Sequence, residues 1–313
     1  MDAICGILGK CDPAAVRAMA SALRHRGDAK HVVAGTEFCV ASSSPLEDRP
    51  SLLDGSPRDI AGNSLTAKEL QRRCATAPMP GQLELRGAFS AVVRVGKGWW
   101  LIRDRLGAKP LYYAQTDDGL VFASELKAIL ASGCVKKRLN LCSVDRYLTM
   151  RCVPGPESII HGVSRVRPGH VVEFLNGSIR ETEFAAFDLS VRELRREEAV
   201  ERVANLLRNA VGACTADAVL WSAGIDCAAL GAMRHGAKPV FVTLKSVWQE
   251  EAWRARESAR LMGLPLKSLK ARTLSESVFT KVAYHLDEPL ADASVLPLWL
   301  IAEQSSQFAK KLL

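Results

Sequence analysis

Ten residues from position 219 to 228, Val-Leu-Trp-Ser-Ala-Gly-Ile-Asp-Cys-Ala, join an apolar strand to a small-residue turn and then to the start of a helix. Backbone N–H groups at such a helix start point outward and attract phosphate oxygens. Ser222 and Cys227 flank the turn with a hydroxyl and a thiol, while Asp226 supplies a carboxylate of the kind that holds Mg²⁺ against phosphates. An ordinary strand-to-helix turn with a capping aspartate would show the same pattern. The residues alone leave both readings open.

A loop of this kind needs a parallel sheet beneath it, and the surrounding sequence has the right period. A helix carries Val200, Val203, Leu207 and Val211 on one side, and a strand follows at residues 218–221. Next come an Ala-rich helix start, a strand at 239–244, a helix with Ala252, Ala255, Ala259 and Met262 at helical spacing, and a strand at 265–269. This alternation predicts a doubly wound α/β domain over residues 186–313. Residues 1–185 read as strand-rich. Segments 3–8, 38–41, 88–95, 99–104, 111–114, 120–123 and 170–175 are strand candidates, and Asn176-Gly177 is a strong hairpin signal. Asp12 and Pro13 mark a helix start, with Val16, Met19, Ala20 and Leu23 on one face. The boundary is set near 186, where residues 180–198 become charged and lose alternation.

The 313 residues are 48% hydrophobic and 24% charged, a globular composition that excludes a disordered or fibrous chain. The net charge is 42 − 34 = +8, but the basic residues are scattered, which argues against a nucleic-acid partner. The longest nearly apolar run, residues 293–302, contains Pro297 and is too short for a membrane span. The start of the chain carries an acid at position 2 and no basic leader, unlike a secretory signal. Nine cysteines without a C-x-x-C pair read as reduced thiols, so a cytoplasmic location is expected.

Two longer motifs then carry a family resemblance. Arg103-Asp104-Arg105-Leu106-Gly107-Ala108-Lys109-Pro110-Leu111-Tyr112-Tyr113, followed by Phe122-Ala123-Ser124-Glu125-Leu126-Lys127-Ala128-Ile129, resembles the R-D-x-x-G-x-x-P-L-Y-Y … F-A-S-E-x-K-A-L signature of class II glutamine amidotransferases. Arg24-His25-Arg26-Gly27-Asp28 is similar to their R-H-R-G-P-D, and Val153-Pro154-Gly155-Pro156 with Arg167-Pro168-Gly169-His170 resembles the end of that domain in asparagine synthetase. The turn from Ser222 to Cys227 is similar to the S-G-G-x-D-S loop of N-type ATP pyrophosphatases, with Ala223 and Cys227 as departures.

The resemblance is to the asparagine synthetase family. It implies an α+β N-terminal-nucleophile domain of αββα layers over residues 1–185, then an α/β doubly wound parallel-sheet ATP pyrophosphatase domain over 186–313 that is incomplete. In the family another Mg²⁺-binding loop would follow the strand at Lys310-Lys311-Leu312-Leu313. The implied reaction is ATP-dependent amide formation through an acyl-adenylate, leading to asparagine from aspartate with glutamine or ammonia as nitrogen source. ATP and Mg²⁺ are the implied cofactors, small molecules the implied partners, and a homodimer is compatible with them. By resemblance Leu220, Ser222, Ala223, Gly224, Ile225, Asp226, Cys227 and Thr243 would contact ATP, with Asp226 on the metal. Asp287, Glu288 and Asp292 would lie near the acyl substrate.

The glutaminase half departs from the family. Cys5-Gly6-Ile7 matches the opening C-G-I, but four residues precede Cys5, which has the free α-amine that serves as base only if Met1–Ile4 is processed off, as in relatives with short propeptides; the expectation is that Cys5 stays internal. Asp2 is too bulky for routine removal of Met1. The N-G-E-I-Y-N segment aligns with Ala61-Gly62-Asn63-Ser64-Leu65-Thr66, which keeps only Gly62 and lacks the oxyanion Asn. Ser42-Ser43-Ser44 stands where the carboxylate-binding Arg is expected, and the G-S-D-T-E segment is missing between Gln71 and Leu85. Losing one oxyanion donor costs roughly 10²–10³ in rate. The expected glutaminase is inactive. Two other readings stay open: a β-lactam-synthetase-like cyclase, and a non-catalytic nucleotide-binding paralogue or partner subunit.

Overall fold

The computed structural model describes residues 2–28, 31–44, 51–77, 79–191, 193–214, 216–222, 224–233, 240–245, 249–270 and 275–313. These fall into two units, residues 1–188 with 286–291, and residues 189–285 with 292–313.

The first unit runs β1 (Ile4–Gly9), α1 (Pro13–Ala22), β2 (His31–Ala34), β3 (Phe38–Ser42), β4 (Ser51–Arg58), α2 (Ala67–Thr76), β5 (Arg86–Val95), β6 (Gly98–Arg103), β7 (Tyr112–Thr116) and β8 (Gly119–Ala123). It continues with α3 (Leu126–Ala131), α4 (Leu141–Met150), β9 (Ser164–Arg165), β10 (His170–Leu175) and β11 (Ser178–Glu183). The strands form two antiparallel sheets, ordered β2-β3-β1-β8-β7-β9 and β11-β10-β6-β5-β4. Side chains alternate along each strand, so every sheet buries two faces. Ile4, Leu8, Phe38, Val40 and Phe122 meet Leu52, Val92, Trp99, Leu101 and Phe174 between the sheets. Cys5, Ile7, Cys39, Ala41 and Val121 point the other way, under Val16, Met19 and Leu23 of α1 and Leu126 and Ile129 of α3. Phe89, Val93, Trp100 and Ile102 pack on Leu70 and Cys74 of α2. The result is helix, sheet, sheet, helix.

Asp12 caps α1 by accepting from the Ala14 amide at 2.8 Å, with Pro13 at the first position. Asn176 and Gly177 both take positive φ, 49° and 77°, at the tight β10–β11 turn. At the rim of the second sheet, β4 carries Pro57, as an edge strand tolerates. Leu65 donates its amide to the Pro57 carbonyl at 2.9 Å, and Arg58 forms a β-bridge with Ser64.

The second unit runs α5 (Arg196–Ala213), β12 (Ala218–Leu220), α6 (Ile225–Met233), β13 (Val240–Lys245), α7 (Gln249–Leu261), β14 (Leu266–Lys270), α8 (Glu276–Leu286) and α9 (Val295–Ser305). β12, β13 and β14 are parallel. Leu312 bridges Ala218 in parallel on the other side of β12. Asp217 accepts the Lys310 and Lys311 amides at 2.8 and 3.0 Å, holding that segment in place. The helical pattern of α5 predicts a buried stripe, yet only Val211 of the four residues is buried. Val200 and Val203 are 62% and 55% exposed, because no described element covers the first turns of α5.

Candidate functional site

Cys5 occupies the middle of the six-stranded sheet, paired with Ala41 on one side and Ala123 on the other. Its nitrogen is a peptide N–H of that strand. Ala3, Ile4 and Cys5 are fully buried. Ala3 donates its amide to Ser43 Oγ at 2.9 Å, and Ile4 donates to Ser124 Oγ at 3.2 Å. Residues ahead of Cys5 thus continue the strand. Burial, reinforced by the neighbouring Cys39 thiol, pushes the Cys5 thiol up to about 12. Burial thus disfavours the thiolate, and the thiolate is the nucleophile.

The positions around it are filled by internal bonds. Ser42 Oγ accepts the Ser44 amide at 3.1 Å, and Ser44 Oγ donates to Asp2 at 3.4 Å. Gly62, with φ of 91°, sits on an exposed turn held by Asp59, Asn63 and Arg58. Gly62 is thus exposed, whereas Cys5 is fully buried. Glutamate release from glutamine is expected at background, unchanged in Cys5→Ala. Glutamate release above background that is lost in Cys5→Ala would sink this expectation.

Beside the start of β1 lies a set of buried charges. Arg26 binds Asp54 and also donates to Glu125 Oε1 at 3.2 Å and to the Asp2 carbonyl at 3.3 Å. Lys109 pairs with Asp54 at 3.0 Å, His25 Nε2 lies 3.0 Å from Glu125, and Lys127 pairs with Glu125. Burial alone would raise the Glu125 carboxyl, but Lys127 and His25 more than reverse this and hold it below the ordinary range.

The long signature turns out to build a loop. Arg103 donates to the carbonyls of Lys109, Val166 and Gly107 at 2.8–2.9 Å. Asp104 accepts from the amides of Leu106, Ala108 and Lys109 at 3.0 Å each. Gly107 has φ of 65°, and a Cβ there would meet Pro168 Cγ at 2.9 Å. Arg103, Asp104 and Gly107 thus each have a packing or backbone-capping reason in the motif.

In the second unit, Trp221 closes β12. It is fully buried, and its indole N–H donates to the Ala255 carbonyl at 3.0 Å and Ser258 Oγ at 3.1 Å. Trp221 thereby fixes the exit of the strand against α7. Beyond it, Ser222 Oγ lies 3.3 Å from Cys227 Sγ and accepts the Gly224 amide at 3.4 Å. Ile225 and Asp226 are exposed at the start of α6. A Cβ on Gly224 would come 3.3 Å from Ser222 Oγ, a tight fit. Ala223 lies outside the described residues. Leu220 ends β12 in register with Val242, so Thr243 stands one residue further along the neighbouring strand. With β13 on one side and residues 311–313 on the other, strand order reverses at β12, and the Ser222–Cys227 turn leaves its carboxyl end. Ligands in open α/β sheets bind at such switch points.

The acidic residues separate. Asp292 is exposed in the second unit and accepts the Ser294 amide at 2.8 Å before α9; that hydrogen bond holds its carboxyl below the usual range. Asp287 and Glu288 lie instead in the first unit. Asp287 accepts from the amides of Leu126 and Lys127, and Glu288 accepts from the Tyr112 hydroxyl at 2.8 Å. Both carboxylates make these bonds within the first unit. Sequence reasoning also missed two partners, Asp54, in a segment with no motif of its own, and Lys109, at a variable position of the long signature.

Residues 82–185 match the family model of the glutamine amidotransferase domain. The first unit carries a glutamine amidotransferase domain. Its relatives make that domain asparagine-synthetase-like. The glutamine-hydrolyzing asparagine synthetase 1 of Bacillus subtilis (strain 168) is 23% identical over 237 residues, covering 72% of this chain and 37% of the relative. A putative asparagine synthetase of Mycobacterium tuberculosis (strain ATCC 25618 / H37Rv) is 23% identical over 248 residues, covering 73% and 38%. The chain spans under two fifths of the length of these two relatives. Among solved structures, a glutamine phosphoribosylpyrophosphate amidotransferase from B. subtilis superposes over 90% of this chain and 70% of its own, with TM-score 0.39 and 11% identity.

Proposed function

We propose that this protein is an ATP-binding member of the asparagine synthetase group, an amide-forming ligase of the acyl-adenylate type whose glutaminase half is silent. The Ser222–Cys227 turn at the switch point of the parallel sheet carries the reading. Its donor set suits a magnesium nucleotide: backbone N–H groups at the start of α6, the Ser222 hydroxyl, the Cys227 thiol and the exposed Asp226 carboxylate. Bound ATP would supply the leaving group for carboxylate activation. Aspartate is the default acyl substrate on the strength of the relatives, and ammonia the default amine because Cys5 is buried and protonated.

Within this scheme Asp226 would hold the metal, Ser222 and the backbone amides would orient phosphate oxygens, and Leu220 and Thr243 would border the base. The test is calorimetric titration with Mg·ATP. Binding in the wild type and at least a tenfold loss in Asp226→Ala are expected, since one carboxylate carries the metal contact. Equal binding by both proteins would refute the assignment. Pyrophosphate release measured with a panel of carboxylates then separates a ligase from a nucleotide-binding relative that does not turn over.

A further inference from the structure

The first unit is completed by six residues that come from far along the chain. Segment 286–291 is grouped with residues 1–188, although α8 before it and α9 after it contribute to the second unit. Its contacts are specific. Asp287 accepts the amides of Leu126 and Lys127 and pairs with Lys127 Nζ at 3.1 Å. Glu288 accepts the Ile159 amide at 2.9 Å and the Tyr112 hydroxyl at 2.8 Å, and it pairs with Arg165 at 3.3 Å. Leu290 bridges Cys152, and Ala291 donates its amide to the Arg151 carbonyl at 2.8 Å. The side chains of Asp287 and Glu288 are only 6% and 9% exposed. Asp287 also takes φ of 67°, an unfavourable conformation for a residue other than glycine, which persists where surrounding contacts over-determine it.

We propose that residues 286–291 are an intramolecular clip: the first unit offers a built receptor for an acidic pair, and Asp287 and Glu288 are its ligand. The receptor consists of the Leu126, Lys127 and Ile159 amides with Lys127, Tyr112 and Arg165. Buried charges placed this way are costly when unmatched, so the pair and its partners are interdependent. Lys127 links the clip onward, because it also binds Glu125, which binds Arg26. The clip therefore reaches the charged set beside β1, and the first unit depends on a segment more than a hundred residues beyond its last strand.

Two measurements on the full chain test this. Treatment with a zero-length carbodiimide should couple Lys127 to Asp287 in the folded protein, and the coupled peptide should vanish in urea. Amide exchange at Leu126, Lys127 and Ile159 should speed up by about tenfold or more in Asp287→Ala/Glu288→Ala, with the amides of β3 unchanged. The crosslink needs no variant, so it decides the matter if the double substitution fails to fold. Coupling of Lys127 to Glu125 alone overturns the clip. Loss of the Lys127–Asp287 crosslink on adding aspartate also overturns it and returns the pair to substrate binding.

Discussion

In urea unfolding, Arg26→Met is expected to lower the stability of the first unit by about 3–5 kcal/mol, the usual cost of removing one partner from a buried ionic set. The Arg26 side chain is 8% exposed and Asp54 is fully buried. Without the guanidinium, Asp54 keeps Lys109 and Ser124, and Glu125 keeps Lys127 and His25, but each carboxylate loses a close donor. Asp2 also loses the bond to its carbonyl, which loosens the strand ahead of Cys5. Adding Asp54→Asn should recover part of the loss, since the uncompensated charge is then gone. A loss below about 1 kcal/mol in Arg26→Met would show that this set is solvated after all.

Trp221→Ala is expected to cost the second unit about 3–5 kcal/mol, as large aromatic deletions from cores do. Trp221 is the largest member of a core with Val219, Ala255 and Ala259, against which Leu264, Leu266 and Leu313 pack, so its removal leaves a large cavity. The substitution also removes the indole donor from the Ala255 carbonyl and the Ser258 hydroxyl, which keep their bond to each other. Because two units unfold in one chain, the effect is best read locally, by amide exchange in β12 and α7. Nucleotide binding should fall with it, since Trp221 fixes the strand exit that presents Ser222. Retained binding in Trp221→Ala would separate the turn from the core beneath it.

Much of the fold was legible because local chemistry and tertiary packing agree at particular residues. Asp12-Pro13 marks α1, Asn176-Gly177 marks the β10–β11 turn, and the alternation after residue 186 marks the parallel sheet. Other elements carry weaker local signals. Helix α2 opens with a capping box, Thr66 and Glu69, in a stretch that reads by alignment as an oxyanion segment. Helix α4 has an intermittent apolar pattern, and three of its apolar residues, Leu141, Leu148 and Met150, are more than half exposed. The α5 stripe shows the opposite failure, a clear pattern without cover. At the proposed site, the Ser222–Cys227 turn stood out in the sequence because its polar residues are contiguous. The clip did not, because Asp287 and Glu288 owe their role to Tyr112, Leu126 and Ile159, which no spacing rule connects to them.

The turn around Gly62 has a consequence of a different kind. A strand at the rim of a sheet is a template on which another chain can grow, and native sheets guard against it. At the β4 rim, Pro57 removes a donor, Leu65 takes its carbonyl, and Ser64 occupies Arg58. At the opposite rim, β11 displays Arg180, Glu181 and Glu183 in a strand of six. The segment that aligns with an oxyanion loop thus works as a hem, and charge guards the far side. Strand-by-strand polymerisation through this five-stranded sheet is disfavoured at both of its rims.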